Sequence, residues 1–550
     1  MTRLYLPLSR RTFVRLSAYG GAAAALGACS TSPSMPFDSG PSFDATAPEQ
    51  VENLIVGSGF GGSITAYRLA EAGHSSVLLE RGKRWDIHTP GENVFCNMGI
   101  GEADNRSAWL ADQQPLPGIP RAPRPFEHFT GVLEKIIGDG IDIVCPAGVG
   151  GGSLVYSGMT VQPPQDLFDE VFAGTGVTWA EMDATYYPRA RTMMQMPSQM
   201  PDDIFDHPRW IATRTFIEQA DHAGYTAGGT GRKLSDRLFC AFDWEGARRE
   251  MRGEIPEQLM IGSYIFGLNS GAKGSLNKTG FYLDLAEASG RCEVRPLHWA
   301  QRIIQRADGW LVELDVIDTG GNVLEQRQIL ARRLFVCAGT ANTTGLLARA
   351  KAEHTIEGLP DSIGEYFGNN GQHIMARKGV GVNTLSAQAG PACAMIFDYD
   401  NRIGMENGPA PLPYMTDQQI LISTGQGIPD TLGSISWDSA AGKVVPHWSA
   451  SNDATAHAAA TNILQTLNTM NAGTDATKEL LLGGSITFHP LGGCVMGHAT
   501  DAFGRVMGVT NLYVMDGALI PGSTPCSNPY WTIAANAERC IERVLRDDFT

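Results

Sequence analysis

His489 is the residue whose type and setting first suggest chemistry. It stands in "GSITFHPLGGC" (residues 484–494), between an aromatic residue and a proline, with Gly492 and Gly493 following. An imidazole ordinarily titrates near neutrality, so it can hold or move a proton during a reaction. Proline halts helix and strand alike, and paired glycines let backbone come close to a neighbour. Two readings follow. One is a core histidine at a tight turn. The other is a histidine that a ligand approaches, with the glycines leaving room for it.

A cofactor cradle near the start of the chain favours the second reading. In "VENLIVGSGFGGSITAYRLAEAGHSSVLLERG" (residues 51–82), Leu54, Ile55 and Val56 read as a short buried strand. Gly57, Gly59 and Gly62 give G-x-G-x-x-G, and Ala66, Leu69 and Ala70 recur at helical spacing, with Gly73 as the stop. Val77, Leu78 and Leu79 form a second strand ending at Glu80, 23 residues beyond Gly57. Gly57 permits the tight turn, Gly59 lets backbone reach a pyrophosphate, and Gly62 lets helix and strand pack closely. The helix N-terminus offers free N–H groups and a positive dipole end to phosphates. Glu80 can hold the ribose hydroxyls. Strand, glycine turn, helix and acid together make a dinucleotide signature, where the glycines alone would be only a turn. The motif serves NAD and FAD alike. Here it opens the folded part of the chain and no second one appears, which favours a permanently held FAD.

The elements that must position these residues lie far apart in sequence. "PAGVGGGSLVYSGM" (residues 146–159) is a second glycine-dense stretch, suited to close backbone approach to a ligand or to a surface loop. "RRLFVCAGTANTTGLLARA" (residues 332–350) reads as buried strand, glycine turn and helix. "TNLYVMDGALIPGSTPCSNPYWTIAANAERCIERVL" (residues 510–545) reads as strand, loop and closing amphipathic helix. With 550 residues, the chain is too long for a single core. The expected fold is α/β with two domains. A Rossmann-like FAD-binding domain is built from residues 50–84, 270–360 and 488–550. A substrate-binding domain, 85–269 and 361–487, is inserted into it, with 146–159 also reaching the FAD.

Bulk properties narrow the function. Hydrophobic residues make up 43% and charged residues 18%, as in a soluble globular protein, and the formal net charge is -16. A phosphate backbone would be repelled, so nucleic acid is excluded as a partner. The ten cysteines are scattered with no C-x-x-C pair, which argues against a disulfide scaffold and against a metal site.

The first residues read as an address. "SRRTFVRL" (residues 9–16) resembles a twin-arginine export signal, and the apolar run behind it is shorter than the ~20 residues a membrane span needs. Residues 1–29 close on "LGAC", which resembles a lipoprotein box; Cys29 is then either lipidated or a chance neighbour of a plain cleavage site. Residues 30–49 are rich in serine and proline and read as a tether. Export by this route leaves the protein secreted, periplasmic or lipid-anchored at the cell surface.

Several blocks in order carry a family likeness: "NVFCNMG" with "NRSAWL" (within residues 93–110), "GVGGGSLVYSGMTVQP", "GNNGQHIMAR" (residues 368–377), "FHPLGGCVMG", and "VMDGALIPGS" followed by "NPYWTI". Together they resemble the glucose–methanol–choline (GMC) family of FAD oxidoreductases, and within it the bacterial cholesterol oxidases with noncovalent FAD. The resemblance implies that His489 faces the flavin N5 edge, that Asn528 pairs with it, and that Glu406 is a carboxylate base. It implies FAD contacts at Phe60, Gly61, Glu80, Gly152, Tyr156, Ser157, Met159, Val294, Gly517 and Tyr530, with Gly151 and Asp516 beside them.

The implied reaction oxidises a 3β-hydroxysterol to the 3-ketone. Hydride passes to flavin N5, O2 becomes H2O2, and the 5-ene shifts to the 4-ene. A sterol partner further implies peripheral membrane contact for its extraction. Three departures bear on this reading. Tyr156 stands where the sterol oxidases usually have asparagine. Ser157 replaces a glycine. "STPCSNP" is one residue longer than usual, which would shift Asn528 slightly. Glu406, in "IGMENGP", lies in a loop-like stretch. Two other readings remain. One is a family dehydrogenase of another bulky hydrophobic alcohol, passing electrons to a quinone or cytochrome. The other is a FAD-containing, lipid-binding surface lipoprotein without turnover.

Overall fold

Two sheets divide the work of holding the site. The computed structural model describes residues 47–87, 104–115, 124–196, 199–255, 276–385, 388–391, 393–408, 419–476 and 485–549. The export signal, Cys29, nearly all of the tether and the "NVFCNMG" block lie outside the described residues, as do parts of the expected substrate-binding domain.

The first sheet has seven strands. Its centre is Glu49–Val56, paired in parallel with Ser76–Glu80 on one side and Val323–Val336 on the other. The strand opens at Glu49. Leu54 and Ile55 are fully buried, which suits a parallel strand covered on both faces. Cys292–Pro296 extends the sheet beyond Ser76–Glu80. Gly309–Ile317 and His298–Arg306 extend it past Val323–Val336 as an antiparallel meander. Leu512–Val514 pairs with the end of the long strand, at Leu334 to Val336. Segments distant in sequence therefore meet at one edge of the cradle. The helix Phe60–Glu71 follows the first glycine turn, Thr340–Ala352 follows the long strand, and Pro529–Asp548 closes the chain.

The second sheet is antiparallel, in the order Thr474–Ala476, His373–Lys378, Ile420–Gln426, Ile403–Gly408, Met395–Asp398, Arg232–Ser235. Side chains alternate across a strand. Ile403 and Met405 face a core shared with the helices Ile211–His222 and Ala454–Met470. Gly404 and Glu406 must therefore face the opposite side. Register places Gln426 beside Gly404 and Thr424 beside Glu406, on that same side. Glu406 thus sits in a strand interior and is 7% exposed, where its local sequence had read as loop-like. Both sheets belong to one compact unit.

Candidate active site

His489 is held by its neighbours on both sides. Ile486–Thr487 forms a short parallel pair with Asp142–Pro146, and Leu491 exchanges two backbone hydrogen bonds of 2.9 Å with Gly368. Between these anchors the His489 N–H donates to Thr487 Oγ1 at 3.0 Å, and Phe488 N–H donates to Gln372 Oε1 at 2.8 Å. The two glycines do not leave room for a ligand, as the sequence suggested. A Cβ on Gly492 would stand 2.0 Å from the Tyr366 carbonyl oxygen, and one on Gly493 would stand 2.3 Å from Thr344 Oγ1. Both also have positive φ, 87° and 95°, so they let this turn press against protein.

Asn370 fixes the state of the ring, and the sequence reading did not single it out. Its Oδ1 accepts from the Thr524 N–H at 2.8 Å, and its Nδ2 donates to the Ser527 carbonyl at 2.9 Å. That settles which end of the amide faces His489: Nδ2, 3.4 Å from Nδ1. An N–H donor opposite Nδ1 makes Nδ1 the acceptor, so the neutral ring carries its proton on Nε2. The imidazole keeps some exposed area yet lies deep in the molecule, and burial pushes its pKa down to about 3. The expected titration near neutrality is thereby corrected: His489 is neutral at physiological pH and presents a hydrogen-bond donor.

The group poised near neutrality is Glu406. Burial pushes its pKa up to about 7, opposed by hydrogen bonds from Asn528 and Gln426. Asn528 caps the final helix at its N-terminus, and its Nδ2 donates to Glu406 Oε2 at 2.9 Å. Gln426 Nε2 in turn donates to Asn528 Oδ1 at 2.6 Å, which orients the Asn528 amide toward the carboxylate. Gln426 was also missed. It lies 20 residues beyond Glu406, and only sheet register brings it here. The loop before Asn528 packs Cys526 against the bare backbone of Gly404, where a Cβ would stand 3.1 Å from Cys526 Cα. Because Asn370 also binds Ser527, it joins the His489 turn to the residue preceding Asn528.

The cradle is built from two glycine loops pressed together. A Cβ on Gly151 would stand 2.6 Å from Gly59 Cα, and one on Gly82 would stand 2.2 Å from the Gly148 nitrogen. Glu80 clasps them. Its Oε2 accepts from Ser58 N–H at 3.1 Å and Ser58 Oγ at 2.6 Å; its Oε1 accepts from Gly82 N–H at 2.8 Å and Gly148 N–H at 3.3 Å. The ribose hydroxyls expected at Glu80 would share these same oxygens. Gly57 has φ of 99° and passes within 2.3 Å, measured to a would-be Cβ, of the Cys337 carbonyl oxygen. Gly61 was expected to touch FAD, but its Cβ direction is filled by the Met515 carbonyl at 2.1 Å, so it serves packing there.

Gly59 behaves differently, because no atom lies within 4 Å of its would-be Cβ. It is also the N-cap of Phe60–Glu71 and gives that helix no side-chain hydrogen bond. Open space at an uncapped helix N-terminus fits a dinucleotide pyrophosphate. Gly339, the N-cap of Thr340–Ala352, likewise has open space at its Cβ position and was not singled out from sequence. Gly59→Ala is accordingly expected to leave the apoprotein's melting temperature unchanged while weakening FAD binding by about tenfold or more. In Gly62→Ala the new Cβ would sit 1.9 Å from the Gly57 carbonyl oxygen, so the fold itself should lose ~1–3 kcal/mol. Thermal melts beside FAD titrations check both; equal effects of the two variants would contradict the assignment.

Other residues expected at the FAD have defined neighbours of their own. Phe60, Tyr156 and Tyr530 form an aromatic trio with centroids 4.8 to 5.8 Å apart, Tyr156 edge-on to the other two, and the Tyr530 hydroxyl pairs with Thr160. Gly152 lies against the Phe60 ring, its would-be Cβ 3.5 Å away. Ser157 and Val294 are half-buried, and Met159 is buried with its sulfur accepting from Cys393 N–H at 3.3 Å. Asp516 accepts from Gly339 N–H, Thr343 Oγ1 and Ala518 N–H at 2.5 to 2.9 Å. It therefore ties the Thr340–Ala352 helix to the loop holding Gly517. Burial pushes its pKa up, against those hydrogen bonds.

Comparison with known proteins agrees with this architecture. Residues 430–537 match the GMC oxidoreductase family, and residues 55–89 match the NAD(P)-binding Rossmann-like domain. The fold and the cradle fit a flavoprotein with FAD as cofactor, and the two matched segments make the chain similar to the GMC oxidoreductases, which oxidise alcohols. Among curated relatives it is similar to the cholesterol oxidase of Mycobacterium tuberculosis (strain ATCC 25618 / H37Rv), 26% identical over 88% of this chain and 89% of that protein. It is also similar to the cholesterol oxidase of Acinetobacter baumannii, 24% identical over 64% of this chain and 60% of that one. Solved structures share the fold. A fungal aryl-alcohol oxidase matches with TM-score 0.60 and 12% identity, over 92% of this chain and 100% of that one. Pyridoxine 4-oxidase from Mesorbium loti matches with TM-score 0.57 and 14% identity, over 90% and 99%.

Proposed function

We propose that this protein is an exported oxidase of 3β-hydroxysterols that holds FAD noncovalently, makes H2O2, and isomerises the 5-ene-3-ketone to the 4-ene. The observation that carries the sterol reading is the buried Gln426–Asn528–Glu406 chain, in which burial holds one carboxylate near pKa 7 and which Ser527 and Asn370 connect to the neutral histidine donor. A simple alcohol oxidation leaves no carbon acid to isomerise, whereas a 5-ene-3-ketone needs a base that takes a proton at C4 and returns it at C6. The likeness to two cholesterol oxidases supports the same substrate class. Export rests on the twin-arginine-like start of the sequence.

FAD, when bound, would supply the hydride acceptor and the route for electrons to oxygen. His489, through Nε2–H, is suited to hold the substrate oxygen and steady the negative charge that develops there. Asn370 keeps the ring in that tautomer. Glu406 is the group whose pKa suits accepting and returning a proton near neutral pH. Asn528 and Gln426 hold its carboxylate in one orientation.

A pH dependence follows from the raised pKa. Proton abstraction needs the ionised carboxylate, so isomerisation should rise with pH through about 7 and level off above it. At pH 5 it should fall by about 100-fold, the fraction still ionised two units below a pKa. The contribution to stability runs the other way. A carboxyl whose pKa is raised in the fold stabilises it most below its unfolded value, and loses that contribution as pH rises through about 7. Rates of enone formation from the 5-ene-3-ketone, measured from pH 5 to 9, read the first effect; a flat profile would remove Glu406 from the step.

The function itself is tested by mixing purified protein with cholesterol and other sterols without air. Flavin absorbance should bleach, and H2O2 should appear when air is admitted. Bleaching without peroxide under air would identify a dehydrogenase. No bleaching with any sterol would end the sterol reading. Yellow colour that stays with the acid-precipitated chain would contradict noncovalent FAD.

A further inference from the structure

Two thiols meet beside the active site and take no part in the chemistry above. Cys240 Sγ and Cys393 Sγ lie 3.1 Å apart, and both residues are fully buried. Two surrounding backbone bonds fix the approach. Cys240 pairs in register with Met159, and Leu238 N–H donates to the Cys393 carbonyl at 3.0 Å. The Cys393 N–H rests on Met159 Sδ at 3.3 Å. The sulfurs therefore face each other from two segments 153 residues apart in sequence that are already locked together.

We propose that this pair is a peroxide-responsive redox site that closes to a Cys240–Cys393 disulfide. One thiol gives up its proton as its sulfur attacks a peroxide oxygen; the O–O bond breaks, and the leaving hydroxide takes that proton, giving a sulfenic acid and one water. The second sulfur attacks the sulfenic sulfur, the S–S bond forms, and a second water leaves with the remaining proton. The sum is two thiols and one H2O2 giving one disulfide and two waters, with two electrons passing from sulfur to oxygen. Burial among Met159, Met395, Phe397 and Cys526 excludes bulky oxidants and holds the Cys240 thiol protonated. Hydrogen peroxide is small enough to enter where a folded oxidoreductase is not.

The position gives the bridge a consequence. Met395, two residues after Cys393, is the register partner of Glu406, and Asn407 N–H donates to the Ala394 carbonyl at 3.0 Å. Met159 lies on the other side of the thiol pair. Closing the bridge would tie the residues leading into Met395–Asp398, the strand paired with the one that carries Glu406, to Phe239–Cys240, which pairs with Met159–Thr160 after the second glycine loop. Peroxide from the protein's own turnover as the natural oxidant rests on the oxidase reading; the bridge chemistry does not.

The test uses the holoprotein, reduced and then treated with added H2O2 or with sterol and air. It is next denatured, alkylated and mapped by peptide mass spectrometry. Added peroxide should yield a reducible peptide pair joining Cys240 to Cys393, with two fewer alkylatable thiols than the reduced protein, while Cys292 and Cys540 remain alkylated. Cys393→Ser should abolish the joined pair and leave the flavin spectrum intact. Complete alkylation of both cysteines after peroxide treatment, or a bridge from either to Cys526, would overturn the proposal. A bridge with added peroxide but none with sterol and air would refute turnover as the oxidant source and leave the site standing.

Discussion

Replacing His489 by alanine is expected to leave FAD bound and to slow alcohol oxidation by ~10²–10⁴-fold, the range for a group that manages a proton or its charge at the reacting oxygen. FAD should remain because the cradle of Gly57, Gly59, Ser58 and Glu80 is built without His489. The fold should remain because the turn is anchored by Thr487, Gln372 and the Leu491–Gly368 pair. His489→Gln separates two roles. A glutamine amide can still donate to the substrate oxygen, so partial recovery relative to alanine is the result a donor requires. A ring acting as base would gain nothing from that amide. The measurement is the rate of flavin bleaching in rapid mixing without air, with FAD content checked by absorbance. An unchanged rate in His489→Ala would make it a structural histidine at a tight turn.

The sequence made the cradle readable because its chemistry is local. Gly57, Gly59, Gly62 and Glu80 fall within one strand–helix–strand unit, where spacing alone dictates geometry. His489 was readable as a residue but not as a state. Its depressed pKa comes from burial and its tautomer from Asn370, which reaches it from 119 residues away. Asn370 itself adopts φ of 62°, a conformation asparagine tolerates, so the paired asparagines before Gly371 marked a turn without showing what the turn holds. The stretch around Glu406 read as loop-like because glycine, asparagine and proline crowd around it, yet strands pair with it on both sides and override that preference. The same pairing delivers Gln426, which no local pattern could have assigned. Gly492 and Gly493 signalled close approach correctly and its object wrongly: the neighbour is the Tyr366 backbone and Thr344.

Glu406→Gln separates oxidation from isomerisation and is expected to produce the clearest change in product. Glutamine keeps the length of the side chain, and its amide oxygen can still accept from Asn528 Nδ2, so the Gln426–Asn528 chain should persist. What disappears is the one buried group poised near pKa 7 in this cluster. Oxidation should continue at a reduced rate, since His489 still holds the substrate oxygen. Isomerisation should fall by ~10²–10⁴-fold, because Glu406 is the group in this cluster whose pKa suits carrying a proton from C4 to C6 near neutral pH. With cholesterol, the unconjugated 5-ene-3-ketone should accumulate. Ultraviolet absorbance of the conjugated enone, followed beside peroxide release, reads the two steps separately. Enone formed in step with peroxide by the variant would show that the proton is moved elsewhere. Loss of both signals with FAD still bound would instead make Glu406 the acceptor of the hydroxyl proton as well, which its pKa of about 7 would suit. The pH profile then decides between a base used once and a base used twice: in the unmodified protein, oxidation and isomerisation share a limb near 7 only if Glu406 serves both.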